Sequence, residues 1–290
     1  MSVAAQPVSW PCGARCAASF TFDVDAESAM LGVSHENAIR MSAITHQAYG
    51  PLVGVPRILK ILAKHRITST FFTPGYTALR YPDVIRAIVD HGHEIAHHGY
   101  LHEPMAGLTA DSEAAILDRG SDALEKITGT RPTGYRAPMW ELNWHSPKLL
   151  RDRGFLYDSS LMDADHPYEL AVRGGGPLVE IPIQWALDDW EQYCYLPDFS
   201  GTGLIESPVK VAEMWRLEFD AAREVGGCYV LTNHPFLSGR PSRAKSLDDL
   251  ISYVCSHDDT WVTSMGAIAA HVRGLALTPR SVERPDPRDF

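Results

Sequence analysis

Asp23 and Asp25 close the apolar run Cys16-Ala-Ala-Ser-Phe-Thr-Phe-Asp-Val-Asp25. In an extended backbone, residues two apart share a face, so both carboxylates point the same way. Two like charges held that close disfavour each other's ionisation unless something offsets them. A strand end needs one polar stop, and a carboxylate pair beyond Phe20 and Phe22 asks for a further reason. A cation bound by one carboxylate, with the other left free as a base, supplies one.

The remaining ligands can be sought in the rest of the chain. His98 and His102, in His97-His-Gly-Tyr-Leu-His102, are four apart. On a helical turn that spacing puts both imidazoles on one face, aimed at one metal. Two neutral histidines and one carboxylate make a facial triad that leaves positions for water and substrate. The chain holds 13 histidines, so such a pair also arises by accident. Arg136, in Gly134-Tyr-Arg-Ala-Pro-Met139, reads either as a surface ion-pair arginine or as a guanidinium that keeps a nearby carboxylate ionised. His234 ends the apolar run Leu231-Thr-Asn-His-Pro235. It is either a core histidine or, in a barrel, one more group pointing into a shared mouth.

These groups need elements to carry them. Strand-like segments at 17–22, 69–73, 94–97, 134–136, 179–183, 228–232 and 261–263 alternate with helix-like ones. Val55, Ile58, Leu59 and Leu62 recur at helical spacing up to about His65. Pro82 opens a helix that Gly92 stops. Thr109 caps a long helix ending at Gly129, with Asp111 and Glu113 in its first turn. Ser146-Pro147 opens a brief helix, Ser207-Pro208 one that runs to Gly226, Asp248 one that ends near Ser256, and Ser264 caps the last. The pattern predicts an α/β fold, a distorted (β/α) barrel of about seven parallel strands. A barrel is expected rather than an open sheet because the polar candidates follow several different strands; an open sheet gathers them at one switch point. Residues 1–275 read as one catalytic domain and 276–290 as a polar, irregular tail.

Composition narrows the class. The 290 residues are 45% hydrophobic and 21% charged, ordinary for a globular protein with a large core. A formal net charge of −10 argues against nucleic-acid or anionic-membrane partners. Cys12, Cys16, Cys194, Cys228 and Cys255 are odd in number and spread out, with no second close pair to complete a zinc site. They read as reduced thiols and point to the cytoplasm. Residues 1–10 lack the Lys or Arg and the long apolar core of a secretory signal, and no apolar stretch reaches the roughly 18 residues of a membrane span.

The chain resembles the polysaccharide deacetylase family, carbohydrate esterase family 4, over about residues 10–272. The family's five motifs are matched in order. They are Thr21-Phe-Asp-Val-Asp25, His98-Gly-Tyr-Leu-His102, Arg136-Ala-Pro138, loosely Trp185-Ala-Leu-Asp-Asp-Trp190, and Leu231-Thr-Asn-His234. The resemblance implies a distorted barrel and metal-assisted hydrolysis of an N- or O-acetyl group. It implies Asp25, His98 and His102 as metal ligands, with zinc the default and cobalt, nickel or iron as other candidates. It implies Asp23 as general base, His234 as general acid for the leaving nitrogen, and Arg136 as the residue orienting the base.

Extracellular members usually carry an Asp-Asp pair in the first motif; here it is Asp23-Val-Asp25. Trp10-Pro-Cys-Gly-Ala-Arg15 and Gly239-Arg-Pro-Ser-Arg243 look like a cytoplasmic subgroup of peptidoglycan-deacetylase-like proteins, cyclic-imide hydrolases and allantoinases. The allantoinases lack the Asp-x-Asp form and fit less well. The expected activity is removal of N-acetyl groups from amino sugars, with hydrolysis of small cyclic amides or imides as the alternative. A non-catalytic binding member is a further alternative, although such a protein would have lost a ligand or the base, and none is missing. The 157–168 segment and the Trp185–Trp190 region are expected to line the mouth or to pack between helices. Glu27 reads as support for the site or as solvated. The partner is expected to be a glycan or small-molecule amide, and the protein a homo-oligomer in which Trp144, Trp190 and Trp215 are available to an interface.

Overall fold

The computed structural model describes residues 7–197, 204–286 and 288. Nine strands among them form one sheet: β1 (Cys16–Asp23), β2 (Thr70–Thr73), β3 (Glu94–His97), β4 (Gly134–Tyr135), β5 (Tyr157–Asp158), β6 (Tyr168–Leu170), β7 (Leu178–Glu180), β8 (Cys228–Asn233) and β9 (Thr260–Val262). The order is β6-β7-β5-β4-β3-β2-β1-β8, parallel throughout except for β6 against β7. Strand β1 is long enough to pair with β2 along its end, from Thr21 to Asp23, and with β9 along its start, from Cys16 to Ala18. Beyond β7 the chain runs on until Asp188 bridges Thr232 of β8, which draws the two ends of the curled sheet together. The result is a half-barrel. The two strands not foreseen in sequence, β5 and β6, are two and three residues long, too short to show a period.

Alternation along β1 sorts the interior from the exterior. Cys16, Ala18, Phe20 and Phe22 belong to the core under the outer helices, where Phe22 stacks on Phe71 at 4.9 Å. Ala17 belongs to the inner core, and Thr21 and Asp23 reach Arg136 inside the barrel. The inward face is therefore small at the amino end and polar at the carboxyl end. Helix Met265–Gly274 plugs the amino end with Met265, Ile268, Ala269 and Val272, packed with Phe72, Ala96, Val179 and Val230. Glu94 ties that plug down by accepting from Thr70 Oγ1 (2.6 Å), Tyr157 Oη (3.0 Å) and the Gly266 amide (2.8 Å). Burial still pushes its carboxyl up.

This arrangement corrects several expectations. Tyr157 points to the plugged end and bonds Glu94, and Tyr168 is buried in β6 with its hydroxyl on Asp163, so neither lines the mouth. Trp215 is buried against Tyr193, with Nε1 donating to Ala186 O, and is unavailable to an interface; Trp144 is exposed. The helix read from Asp248 starts at Pro241, because its first turn is polar and only Ala244 and Leu247 mark its buried face. Pro74-Gly75 does end β2, but Gly75 at once opens helix Gly75–Arg80. In the tail, Arg280 bridges Leu170 and pairs with Asp163 at 2.6 Å. The caps at Thr109, Ser207 and Ser264 form as the sequence predicts. Among the described residues no helix is long and apolar enough to cross a membrane.

Candidate active site

All six candidate residues converge at the carboxyl ends of the strands. Asp23 ends β1 and Asp25 lies two residues beyond it. Asp23 accepts from Arg136 Nη1 at 2.8 Å, and Arg136 also donates to Thr21 Oγ1 (3.0 Å), Ser159 O (3.2 Å) and Ser159 Oγ (3.3 Å). The guanidinium carbon sits 4.0 Å from the Phe72 ring centroid, a cation–π contact in a dry setting. Burial alone would raise the Asp23 pKa; Arg136, with His98 and His234, outweighs it and holds the carboxyl below its ordinary range.

Asp25 is the opposite case. Both its oxygens are buried without a hydrogen-bond partner among the described residues. Three imidazoles face them instead: His98 Nε2 lies 3.5 Å from Oδ1, and His102 Nε2 and His234 Nε2 each lie 3.5 Å from Oδ2. Burial, only partly countered by His98 and His234, raises the Asp25 pKa. Burial lowers that of His98 and takes His102 down to about 4, so both present neutral nitrogens. His98 Nδ1 donates to Arg136 O at 2.8 Å, which leaves Nε2 as the lone-pair nitrogen on the Asp25 side. An orphaned buried carboxylate beside two neutral imidazoles is the donor set a divalent cation takes, and Asp25, His98 and His102 fit one.

The backbone is bent to achieve this. The His98–His102 pair lies on an irregular loop rather than the helical turn its spacing suggested. Gly99 (φ 73°) and His102 (φ 56°) adopt left-handed conformations, and the Tyr100 amide is held by Glu103 Oε2 at 3.0 Å. Those turns bring the two rings to 4.9 Å between centroids. Ala26 (φ 49°), Met139 (φ 57°) and Trp140 (φ 55°) are also left-handed without being glycine. Such residues cost about 1–3 kcal/mol each and collect at functional sites; here they directly follow Asp25 and the Arg136-Ala-Pro138 turn.

Sequence reasoning missed the groups that hold His234. Asp189 Oδ1 accepts from His234 Nδ1 (2.7 Å) and from its backbone amide (2.8 Å), while Asp189 Oδ2 takes Ser238 N (3.1 Å) and Ser238 Oγ. Asp188 Oδ1 is 3.5 Å from Nδ1 and caps the Trp190 amide. Burial opposes a charged His234, but Asp188 and Asp189 outweigh it and push the imidazole up to about 10. The signal was the Asp188-Asp189 pair inside the loosely matched fourth motif. Glu27 is buried, and its Oε1 takes Arg80 Nε (3.0 Å) and Tyr81 Oη (2.5 Å), so it braces the turn after Asp25. In the Trp185–Trp190 region, Trp185 is half exposed and stacks on Trp140 at 4.4 Å, and the Trp190 ring lies 5.0 Å from that of His234.

Comparison with known proteins agrees with this geometry. The family model described as Polysaccharide deacetylase matches residues 40–157. A curated peptidoglycan deacetylase from Helicobacter pylori is 32% identical over 271 residues, covering 84% of this chain and 92% of the relative. The chain belongs to the polysaccharide deacetylase family. Members of that family are metal-dependent hydrolases of non-peptide carbon–nitrogen bonds. A solved polysaccharide deacetylase structure from Mycobacterium smegmatis superposes with a TM-score of 0.97 at 61% identity, covering 99% of this chain and all of that one. A solved allantoinase superposes at 0.81 with 27% identity, covering 93% and 94%.

Proposed function

We propose that this deacetylase-family protein removes acetyl groups from the nitrogen of amino sugars. The observation that carries the reading is the division of labour between the two aspartates. Asp25 has two orphaned oxygens facing three imidazoles, and Asp23, two residues away, is already paired with Arg136. Asp25, His98 and His102 would hold a divalent cation, zinc by the donor types, which lowers the pKa of water and polarises the acyl oxygen. Asp23 takes a proton from the attacking water, as a carboxylate held ionised by Arg136 can do. The oxygen of that water bonds to the acyl carbon, the carbon–nitrogen bond breaks, and His234 Nε2 gives the leaving nitrogen its proton. Asp189 on Nδ1 fixes the tautomer and orientation this requires. The products are acetate and a free amine.

A second reading has its own support. The likeness to an allantoinase over 93% of the chain, and the burial of Asp25, His98, His102 and His234, suit a small cyclic amide or imide at the same residues. Residues 1–275 act as one catalytic unit in this proposal. Its five free cysteines suit the cytoplasm. Exposed Ile39, Met41 and Leu204 offer surface for a homo-oligomer. The test is metal-loaded protein assayed in parallel on N-acetylated amino-sugar oligomers and on small cyclic imides. Acetate release alone selects the first reading and ring opening alone the second; metal-loaded protein inert on both would overturn each.

A further inference from the structure

Asp158 and Glu180 stand opposite each other on the parallel strands β5 and β7, and both are fully buried. Each carboxyl has one oxygen supplied with donors. Asp158 Oδ1 accepts from Ser160 Oγ at 2.8 Å, and Glu180 Oε1 accepts from the amides of Ser160 (3.2 Å) and Leu161 (3.0 Å). Among the described residues no N–H or hydroxyl reaches Asp158 Oδ2 or Glu180 Oε2. Yet the two side chains hydrogen-bond to each other. Two carboxylates cannot do that, because an ionised carboxyl only accepts. A proton therefore lies between them. Burial pushes both carboxyls up, and Glu180 is raised further by the Asp158 charge beside it, so Glu180 donates and Asp158 accepts. Tyr135 and Tyr168 stand opposite Asp158 and Glu180 in register. Arg136 is the cation that acts on Asp158, but its ion pair is with Asp23.

The turn from Asp158 to Leu161 is what grips Arg136. Ser159 accepts from the guanidinium through both its carbonyl and its hydroxyl, and that hydroxyl donates onward to Ile181 O at 2.9 Å. Ser160 Oγ donates to Asp158 and accepts from the Ala137 amide at 2.9 Å, which ties down the residue after Arg136. Glu180 holds the same turn from the β7 side through its two amides. The carboxyl pair thus reaches Asp23 only through this turn and Arg136.

We infer that Asp158 and Glu180 share one proton and act as a single positioning unit, fixing where the Arg136 guanidinium meets Asp23. The turn presents two amides and a hydroxyl that all need acceptors in a dry interior. Two carboxyls supply them, and one shared proton joins the carboxyls where two full charges would drive β5 and β7 apart. This inference rests on the proposed reading of Asp23 as the base.

The test uses the full metal-loaded chain, with N-acetylated amino-sugar oligomers and succinimide as substrates. The conservative variants Glu180→Gln and Asp158→Asn each put an amide N–H where the shared proton lies and keep the other acceptors, so each should lose little kcat. The double variant Asp158→Asn/Glu180→Gln cannot keep them all. Either two N–H groups oppose each other, or a flipped amide strips the Ser160 hydroxyl, or the Ser160 and Leu161 amides, of an acceptor. Its kcat should fall by about 10- to 100-fold, the cost of a small displacement in a catalytic constellation, with metal content and KM unchanged. The Arg136 Nε–H, followed by NMR with labelled arginine, should exchange with deuterium slowly in wild type and both single variants, and at least about tenfold faster in the double variant. The infrared difference between wild type and Glu180→Gln at neutral pH should show one protonated carboxyl, whether or not the double variant folds. Absence of that absorption overturns the shared proton, as do single variants impaired as much as the double one. A folded double variant with wild-type kcat and slow Arg136 exchange overturns the positioning role. A wild type inert on both substrates, with the expected exchange pattern, overturns the hydrolase reading and leaves the Asp158–Glu180 unit standing.

Discussion

Arg136 and Asp23 form a 2.8 Å ion pair inside the barrel, with both side chains shut off from solvent. Removing one partner of such a pair strands the other charge. Arg136→Met should lower unfolding stability by about 3–5 kcal/mol in a urea titration and abolish turnover. Arg136→Lys should recover little, because one ammonium cannot serve Thr21, Asp23 and Ser159 as the guanidinium fork does. The pH dependence has a fixed sign. Asp23 titrates below its ordinary value in the fold, so the stability it contributes is present above about pH 4 and is lost as pH falls through the folded value. The gap between wild type and Arg136→Met should close in acid; a gap independent of pH would refute this account of the pair.

The two aspartates should separate cleanly by metal content. Asp23→Asn leaves Asp25, His98 and His102 in place, so the purified variant should hold as much divalent metal as wild type while turning over at least about 100-fold more slowly. His98→Ala and His102→Ala each remove a proposed ligand and should lose the metal. Elemental analysis beside an activity assay decides it, and a chelator should bring wild type to the level of the histidine variants.

Asp189 should act through His234. Asp189→Asn keeps the shape but removes the charge on Nδ1, and kcat should fall by about 10²- to 10⁴-fold. A histidine raised from 6.5 to about 10 contributes stability that is fully present below pH 6.5 and lost as pH rises through 10. Metal-free wild type should therefore lose stability across that window, and metal-free Asp189→Asn should lose less of it. In the metal-loaded enzyme the alkaline limb of kcat/KM should move to lower pH in Asp189→Asn. An unmoved limb would mean that another group sets it.

The parts of this site that sequence made legible share a cause. Period-2 alternation in an extended backbone is rigid, so the spacing of Asp23 and Asp25 alone assigns both to one face. Helix caps at Thr109, Ser207 and Ser264 are equally local. His98 and His102 were found for a reason the fold does not use, since their spacing suggested a helical turn and left-handed Gly99 and His102 do the work. Asp189 was missed because its link to His234 spans 45 residues. Tyr157 was misplaced because nothing local tells a two-residue strand which end of the barrel its side chain faces.

Thr77 yields a last prediction about how Asp25 is aimed. The strained Ala26 that follows Asp25 needs something to hold it, and the Asp25 carbonyl accepts from Thr77 Oγ1 at 2.8 Å and Ser28 Oγ at 2.5 Å. Both bonds go to the backbone and leave the carboxylate free. Thr77→Val keeps the shape and removes one anchor. It should cost about 1 kcal/mol of stability, as one buried hydrogen bond does. Metal affinity, read by competition with a chromophoric chelator, should fall by about 10- to 100-fold, the usual cost of losing a group that orients a ligand. Thr77→Ser should restore the affinity. A Thr77→Val protein that is destabilised but binds metal as tightly as wild type would show that Thr77 holds helix Gly75–Arg80 in place and does nothing for Asp25.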